Sequence, residues 1–406
     1  MHYDIAIIGA GPAGLAFTRL LAGSGLRIAL IDKQSRAELA EPPVDGRDIA
    51  LTHQSRRILE QLGAWQHIAT QDISPLQEAR VLDGNSPYLL DFPGDSEDSP
   101  LGWLIANHLI RKVLYQVVEP LEQIDWYDGV TATDVSATDA CARVSLSDGR
   151  ELTASLLIGA DTRFSETRRR MGIGADMNDY GRIAIVCRMQ HEKPHDNIAW
   201  ECFHYERTLA ILPMPGDASS IVITVPASKA PGILAMPEAT FNADIQERFG
   251  HRLGAMKLTG ERFSYPLVGV HAKSFVARRF ALIGDAAVGM HPVTAHGFNL
   301  GLSGAELMAR QLLSAQQKNA DIGSLAVLLP YQARHRLDTL PLFHGTNTVV
   351  GLFTNDTLPA RVVRKAVVHA SNHLPPVKWA IKRKLTGKRG FSGLPLPPAW
   401  LLPKWL

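Results

Sequence analysis

The stretch from Ala281 to Leu307 combines an acid, two histidines and several glycines in a short space. It opens with an apolar run, reaches Asp285, and crosses a loop that holds His291 and His296 before a helical pattern begins. A carboxylate accepts hydrogen bonds from hydroxyl groups, and a histidine can move a proton near neutral pH. A loop that only connects two elements seldom needs this composition. We therefore predict that the loop lies against a flat cofactor.

A glycine motif near the N-terminus predicts a dinucleotide site. The apolar run Tyr3–Ile8 is typical of a buried parallel strand, and GAGPAG follows it before a helical pattern. Gly9 permits the tight turn, Gly11 lets the backbone approach a pyrophosphate, and Gly14 lets helix and strand pack closely. The N-terminus of that helix offers free N–H groups and a positive dipole end to phosphates.

Asp32 completes this strand–helix–strand unit. It ends the second apolar run, Leu26–Ile31, and stands about twenty residues after the glycines, where such units carry an acid. A carboxylate at this place accepts hydrogen bonds from a ribose hydroxyl and disfavours a 2′-phosphate. We therefore expect NAD or FAD, and not NADP, as the bound dinucleotide.

The order of elements predicts an α/β fold with an inserted sheet. Leu156–Asp161 is a further strand, and Ala281–Gly284 returns to the same core. Between them Ile183–Val225 alternates strands and turns, which is typical of an antiparallel sheet that covers a substrate. We expect an exposed loop over Asp83–Gly102 and a meander over Trp126–Leu146. The predicted domains are a discontinuous Rossmann-type dinucleotide-binding domain (1–175 and 268–325), an antiparallel-sheet substrate domain (176–267) and a helical C-terminal region (326–406).

Composition and charge narrow the class of protein. The 406 residues are 46% hydrophobic and 20% charged, and neither a spanning apolar run nor a signal peptide is visible. Three cysteines without a CxxC pair support neither a disulfide framework nor a zinc site. We therefore expect a cytoplasmic globular protein with more than one domain and no metal.

Three separated motifs together resemble those of a known family. GAGPAG, LLIGAD at Leu156–Asp161 and ALIGDAAVGMHP at Ala281–Pro292 are similar to motifs of the single-component FAD-dependent aromatic hydroxylases, the group of p-hydroxybenzoate hydroxylase. Asp45–Leu51 resembles the D-x-R-x-x-A-L segment of the ubiquinone-biosynthesis branch (UbiH, UbiF and VisC types). The loop Ala295–Asn299 is most similar to UbiM-type members. The resemblance runs from Met1 to about Phe353, and it implies that FAD is the dinucleotide.

The resemblance implies roles at the adenosine end of FAD. The glycines of GAGPAG would hold the pyrophosphate, and Asp32 would bind the adenosine ribose. Val130 would touch the adenine through its backbone. Arg47 and Arg111 would reach the phosphates or the polar edge of the ring, with a surface ion pair as the alternative for Arg47.

The resemblance also implies roles at the flavin end. Asp285 would bind the ribityl chain, and Asn299 with the N–H groups at Gly297–Phe298 would lie beside the pyrimidine ring. A helix N-terminus there stabilises the negative charge of reduced flavin. His291–Pro292 would line the space next to the ring. The other expected FAD-binding residues are Pro12, Ala13, Lys33, Asp161 and Gly284.

Three positions depart from the family's pattern. Thr162 replaces the usual glycine after Asp161, Ala295–Gly297 replaces Gly-Gln-Gly, and Gly304 stands where an Asp is common. His296 could therefore be a new acid or base near the flavin, or only a change of shape. His291 is the better-placed catalytic candidate. For both histidines the alternative is a supporting hydrogen bond away from the reacting atoms.

The resemblance implies a reaction as well as a cofactor. In this family reduced FAD forms a C4a-hydroperoxide with O₂, and its distal oxygen attacks an electron-rich aromatic carbon. The chain shows no second glycine-rich unit, which agrees with NAD(P)H as a transient reductant. The branch implies a polyprenylated phenol or quinol of ubiquinone biosynthesis as substrate. A FAD-dependent isoprenoid reductase, a hydroxylase of another phenol and a non-catalytic flavin-binding subunit of a biosynthetic complex are the alternatives.

The C-terminal tail is strongly basic. Asp356–Leu406 carries ten Lys/Arg and one acid, a charge of +9, which leaves −7 on the preceding residues of a +2 chain. Arg361–Lys365 and Trp379–Lys384 interleave basic and apolar residues, and Leu394–Leu406 adds tryptophans and prolines. This composition suits the anionic inner face of a membrane, with a partner in a ubiquinone-biosynthesis complex or a solvated tail as alternatives. Nucleic acid is not expected, because the rest of the chain is acidic.

Overall fold

The computed structural model describes residues 1–83, 89–96, 99–204, 207–291 and 296–353, and positions 382, 386 and 387. The strands in this part of the chain are β1 (His2–Ile8), β2 (Ile28–Asp32), β3 (Asp48–Leu51), β4 (Ser74–Leu76), β5 (Glu78–Asp83), β6 (Leu89–Pro93), β7 (Gly102–Ala106), β8 (Ile124–Asp128), β9 (Ala132–Ala137), β10 (Ala142–Leu146), β11 (Glu151–Gly159), β12 (Ala175–His191), β13 (Ile198–His204), β14 (Arg207–Met214), β15 (Ala218–Pro226), β16 (Met256–Ala272), β17 (Val276–Ala277), β18 (Phe280–Leu282) and β19 (Val288–Gly289). The α-helices are α1 (Pro12–Leu20), α2 (Arg36–Ala40), α3 (His53–Gln61), α4 (Asn107–Val118), α5 (Glu166–Arg170), α6 (Ala230–Leu234), α7 (Glu238–Arg248), α8 (Gly297–Gln317) and α9 (Leu325–Phe353).

The first sheet is a Rossmann-type parallel sheet. Its strand order is β17-β18-β11-β1-β2-β8, and β18, β11, β1, β2 and β8 run parallel to one another. Strands β9 and β10 extend it beyond β11 as an antiparallel hairpin. Continuous apolar runs such as Ile28–Ile31 are fully buried, as expected for parallel strands that are covered on both faces. The predicted α/β fold class is confirmed.

The second sheet is long and mainly antiparallel. Its order is β19-β16-β12-β15-β14-β13-β5-β6, and only the β13–β5 pair is parallel. Alternate residues of a strand face opposite sides of a sheet. Thus Ile185 and Cys187 pack into a core with the α7 residues Phe241 and Ile245, whereas Ala184 lies on the other face. That other face forms part of a large cavity.

Helices α8 and α9 pack against each other through a glycine. A Cβ atom on Gly304 of α8 would lie 2.7 Å from Nε2 of His335 in α9. His335 is fully buried and stacks on Tyr331 with ring centroids 5.5 Å apart. A larger side chain at position 304 would collide with the His335 ring, which explains why Gly304 stands where the family often carries an Asp.

Two local predictions were wrong. Leu89–Pro93, expected in an exposed loop, forms β6, because burial of Leu90 and Phe92 overrides the polar composition around them. The meander expected over Trp126–Leu146 does not form. Strand β8 pairs with β2 in parallel, and within that range the hairpin consists of β9 and β10. Strands β5 and β6 also join the second sheet from outside 176–267, and the predicted domain bounds stay a prediction.

The helical C-terminal region is described as far as Phe353. Helix α9 contains Pro330 and Pro341, and no helix in the described ranges has the length and apolar character needed to cross a membrane. The basic segments Arg361–Lys365 and Leu394–Leu406 lie outside the described residues. Within the segment Trp379–Lys384, only Lys382 is described, and its ammonium group lies 2.8 Å from a carboxylate oxygen of Asp95.

Candidate active site

A cavity of about 1090 Å³ joins the carboxyl edge of the first sheet to one face of the second sheet. Because β1, β2, β8, β11 and β18 run parallel, their carboxyl ends meet at the same edge, where α/β sheets bind ligands. The predicted cofactor-binding residues that line this cavity are Gly9, Gly11, Pro12, Ala13, Asp32, Lys33, Arg47, Arg111, Val130, Asp161, Gly284, Asp285, Gly297 and Phe298.

The glycine turn after β1 has the geometry that its sequence predicts. Gly9 has φ +112°, a conformation that other residues rarely adopt. A Cβ atom on Gly14 would lie 2.0 Å from the Gly9 carbonyl oxygen, so only glycine allows α1 to pack here. A Cβ atom on Gly11 would meet no atom within 4 Å. Gly11 therefore leaves open space at the wall, into which a ligand can approach the backbone.

Asp32 organises the neighbouring end of the cavity. Its carboxylate accepts hydrogen bonds from the backbone N–H groups of Ala10, at 2.6 Å, and Gln34, at 2.8 Å. Its backbone carbonyl accepts from the N–H of Val130 at 3.1 Å, which holds Val130 at the cavity wall. Arg111 donates to the Gln34 side chain at 2.8 Å. Sequence analysis missed Gln34, which orients a predicted phosphate-binding arginine.

Arg47 forms an ion pair and also lines the cavity. Its guanidinium lies 2.6 Å from the carboxylate of Asp45, which also accepts from Asn107 at 2.7 Å. Burial tends to raise the pKa of the Asp45 carboxyl, but the Arg47 charge and these hydrogen bonds outweigh it and lower the pKa. The Tyr265 hydroxyl donates to the Asp45 carbonyl at 2.6 Å. This network holds the D-x-R segment against the second sheet.

Asp285 pairs with an arginine that the sequence analysis did not single out. Nη2 of Arg163 lies 2.9 Å from Oδ2 of Asp285, and both residues line the cavity. Arg163 follows the LLIGAD motif by two residues, and that proximity was the available signal. Asp161 itself accepts hydrogen bonds from the backbone and hydroxyl of Thr167, so it also fixes the start of α5.

His291 lies at the cavity wall in a buried position. Its ring stands edge-on to Tyr180, with ring centroids 4.8 Å apart. Burial, together with the charges of Arg182 and Arg163, lowers the pKa of His291 to about 4. The imidazole is therefore neutral at physiological pH. A neutral ring can contact a ligand, but it is a weak proton acceptor.

Three predicted residues that the structure describes do not line the cavity wall. His296 immediately precedes α8, and its carbonyl accepts from the N–H of Leu300. The side chain of Asn299 bonds the backbone of Ala50 and Thr52, which ties α8 to the start of α3. Gly14 serves helix packing, and Pro292 lies outside the described residues. For Asn299 the structure therefore indicates a positioning role.

The remaining wall of the cavity is one face of the second sheet. Its apolar side chains include Ala184, Val186, Phe203, Ala210, Leu212 and Val222, and its hydroxyl groups belong to Thr208, Ser220, Thr224 and Tyr265. Glu201 is the acidic side chain that this sheet presents to the cavity within the described residues. Sequence analysis missed it, because the cavity-facing residues of a sheet come from strands far apart in the chain.

The donor groups of the cavity fit FAD. Helices α1 and α8 begin at Pro12 and Gly297, and neither N-terminus is capped by a side chain. Uncapped N–H groups stabilise negative charge. FAD carries negative charge at its pyrophosphate and, when reduced, at the pyrimidine end of the flavin. The two helix N-termini and the open space at Gly11 match these negatively charged parts of the molecule, and the carboxylate of Asp32 matches the hydroxyl groups of its ribose.

Comparison with known proteins agrees with this assignment. The model of the FAD binding domain family matches residues 2–335. The chain therefore belongs to the FAD-binding-domain family of flavoproteins, and its cofactor is FAD. The family resemblance that the three sequence motifs carry is confirmed.

Particular relatives place the chain more narrowly. Ubiquinone hydroxylase UbiM of Neisseria meningitidis is 47% identical over 393 residues, which cover 95% of this chain and 85% of that protein. Ubiquinone hydroxylase UbiL of Rhodospirillum rubrum is 35% identical, with 97% and 91% covered. Among solved structures, p-nitrophenol 4-monooxygenase PnpA of Pseudomonas putida has a TM-score of 0.75 at 18% identity, with 96% and 99% covered. That structure shares the fold of this chain.

Proposed function

We propose that this protein is an FAD-dependent monooxygenase that hydroxylates the aromatic ring of a polyprenylated phenol or quinol in ubiquinone biosynthesis. The observation that supports this most strongly is the cavity that joins the FAD-binding edge to a largely apolar sheet face. Such a cavity brings a cofactor and an apolar substrate together in one space. Two ubiquinone hydroxylases, at 47% and 35% identity, support the choice of substrate class.

The residues of this chain hold and orient FAD. The glycine turn and the N-terminus of α1 bind the pyrophosphate, and Asp32 binds the adenosine ribose. Asp285 binds the ribityl hydroxyls in the orientation that Arg163 fixes. The N-terminus of α8 stabilises negative charge at the flavin, and Asn299 anchors that helix. When bound and reduced, FAD supplies the activation of O₂, with NAD(P)H as a transient reductant.

The sheet face excludes water from the reacting space. Its apolar side chains keep the local dielectric low, which protects a reactive group from hydrolysis and side reactions. His291 is neutral there, so it adds no charge and contacts the ring of a bound ligand beside Tyr180. His296 shapes the start of α8. Neither histidine is therefore our first choice for the proton acceptor at neutral pH.

The basic tail fits delivery of a lipid substrate. Val349 and Val350, near the end of α9, line the cavity, and the tail of charge +9 follows shortly after them. We infer that the tail docks the protein on the anionic cytoplasmic face of a membrane, where prenylated phenols reside. The full chain should pellet with phosphatidylglycerol vesicles in a sedimentation assay. A variant in which the tail Lys/Arg residues are replaced by Gln should stay in the supernatant. Equal binding by both proteins would contradict the docking.

The proposed reaction can be tested by quinone profiling. The gene is expressed in bacterial strains that each lack one ubiquinone ring hydroxylase, and quinones are identified by mass spectrometry. Restored ubiquinone with loss of one specific intermediate is the expected result. A Gly11→Val variant, which fills the open space at the FAD site, provides the inactive control. If no strain recovers although the purified protein binds FAD, another phenol or an isoprenoid double bond becomes the preferred substrate.

A further inference from the structure

Glu201 places a carboxyl group on the cavity face of the second sheet. Along β13, Glu201 and Phe203 line the cavity, whereas Cys202 between them packs into the core behind the sheet. This alternation is that of a regular strand, so the carboxyl group faces the cavity because of its register. The strand pairing that forms this cavity wall therefore also sets the direction in which the Glu201 side chain points.

The neighbours of Glu201 on this face are apolar. In register across the sheet stand Ala210 on β14, Val222 on β15 and Val186 on β12. On its other side Val81 of β5 pairs with it. None of these side chains can donate a hydrogen bond or offer a charge. Within the described part of the chain, Glu201 therefore has neither an ion pair nor a side-chain hydrogen bond.

The charged groups on the adjacent strands are engaged elsewhere. Arg80 of β5 is paired with Glu78 and lies over the ring of Trp200, which belongs to the core side of the sheet. Arg207 of β14 is paired with Asp244 of α7 at 2.6 Å. Burial alone therefore acts on Glu201, and it raises the pKa of this carboxyl to about 7.

A carboxyl group in this environment has a cost for folding. An unpaired and partly buried acid destabilises the folded state, and an apolar residue would pack the same wall without that penalty. Ser220, on β15 of the same face, is 1% exposed, and its hydroxyl has no hydrogen-bond partner within the described residues. Glu201 and Ser220 thus lie on the cavity face of the sheet without a side-chain hydrogen bond in the part of the chain that the structure describes. A bound ligand is the natural source of the missing hydrogen bonds.

On the basis of the proposed function, we propose that Glu201 binds the ring hydroxyl of the phenolic substrate and accepts its proton during hydroxylation. The O–H bond of the phenol breaks as an O–H bond forms on the Glu201 carboxylate. The electron pair stays on the phenolic oxygen and raises the electron density of the ring carbons. When the ring becomes aromatic again, the C–H bond of the hydroxylated carbon breaks and its proton leaves to solvent. The ring oxygen takes back the proton held by Glu201, which regenerates the carboxylate.

The chemistry of the two groups is matched. A phenol has a pKa near 10, so a carboxylate with a pKa of about 7 is a better acceptor for its proton than an ordinary glutamate. General bases that are positioned in this way typically contribute about 10²–10⁴-fold to a rate.

The test compares Glu201→Gln with the wild-type holoenzyme. The substrate is a phenol with a short prenyl chain, and NADH oxidation and hydroxylated product are both measured. Gln keeps the shape but accepts no proton, so product formation should fall about 10²-fold or more in kcat, with FAD content unchanged. NADH oxidation without product should then persist. Glu261→Gln, an exposed acid of the same sheet on β16, is the matched control and should behave as wild type.

The pH dependence provides a second readout. Wild-type product formation should rise with pH through about 7, where the carboxyl loses its proton, and this rise should be absent in Glu201→Gln. Glu201→Asp should restore part of the rate with its pH dependence. An unchanged kcat and pH profile in Glu201→Gln would overturn the role proposed for Glu201 but not the proposed function. Absence of product from the wild-type enzyme would instead overturn the proposed function.

Discussion

The guanidinium of Arg163 lies 2.9 Å from the carboxylate of Asp285 at the wall of the cavity. Asp285 follows β18, and Arg163 follows β11, so the pair joins the carboxyl ends of two adjacent parallel strands. Arg163 also donates to the Val268 carbonyl of β16 at 3.0 Å. One arginine therefore ties Asp285, the acid that we propose binds FAD, to both sheets and fixes the orientation of its carboxylate.

Loss of this pair should affect FAD binding more than folding. In Arg163→Met the Asp285 carboxylate loses its orientation, and we expect the Kd for FAD to rise about tenfold. The pair is partly exposed, so the free energy of unfolding of the apoprotein should change by no more than about 1 kcal/mol. FAD titration and urea unfolding measure the two quantities. Arg278→Met, which breaks an exposed pair with Asp139, is the control and should change neither.

Substitution of two glycines of GAGPAG should affect FAD binding and the Tm of the apoprotein differently. Gly11→Ala places a methyl group in open space, so the apoprotein should keep its Tm while its affinity for FAD falls. Gly14→Ala places one 2.0 Å from the Gly9 carbonyl oxygen, so both Tm and FAD binding should fall. Thermal unfolding and FAD titration of the apoproteins provide the comparison. A lower Tm in Gly11→Ala would contradict its assignment to ligand approach.

The contact between α8 and α9 predicts a large effect of one methyl group. Gly304→Ala would bring a Cβ within 2.7 Å of the buried His335 ring, and such overpacking typically costs about 1–3 kcal/mol. The gain in helix propensity, about 1 kcal/mol, offsets only part of this. Urea unfolding measures the sum. Gly345→Ala in α9 meets no atom within 4 Å and should not destabilise, and equal behaviour of the two variants would refute the packing argument.

Much of the cavity wall at the edge of the first sheet could be predicted from the sequence, because its residues follow strands with distinctive motifs. Gly9, Gly11, Asp32 and Asp285 all stand shortly after the ends of apolar runs, and parallel pairing brings those ends together. The geometry of the glycine turn followed from elementary sterics. Arg163 was missed because it lies two residues beyond the LLIGAD motif and is not part of it.

The substrate wall could not be predicted in the same way. Glu201 faces the cavity only because β13 pairs with β14 and β5 in one register. A slip of that register by one residue would turn Cys202 toward the cavity and Glu201 toward the core. The polar sequence around Leu89–Pro93 indicated a loop, but burial of two side chains in a distant sheet made it a strand. Long-range pairing decides both cases.

The raised pKa of Glu201 predicts a pH-dependent gain in stability on its replacement. The unfolded carboxyl titrates near 4.5 and the folded one at about 7, so the folded state binds more protons between these values. The stability that this proton gives is complete below pH 4.5 and is lost as pH rises to about 7. Glu201→Gln should therefore raise the free energy of unfolding by up to about 3 kcal/mol at pH 8. At pH 4.5 the substitution should change the free energy of unfolding little. Urea unfolding at both pH values measures the two gains, and an equal gain at both would contradict the raised pKa of Glu201.

The source of the oxygen atom tests the proposed reaction most directly. The FAD-loaded protein is supplied with NADH and a prenylated phenol under ¹⁸O₂, and the product is analysed by mass spectrometry. One ¹⁸O atom bound to a ring carbon is the result that a flavin-dependent monooxygenase predicts. Product that contains only oxygen from water, or a saturated isoprenoid chain without new oxygen, would contradict the account.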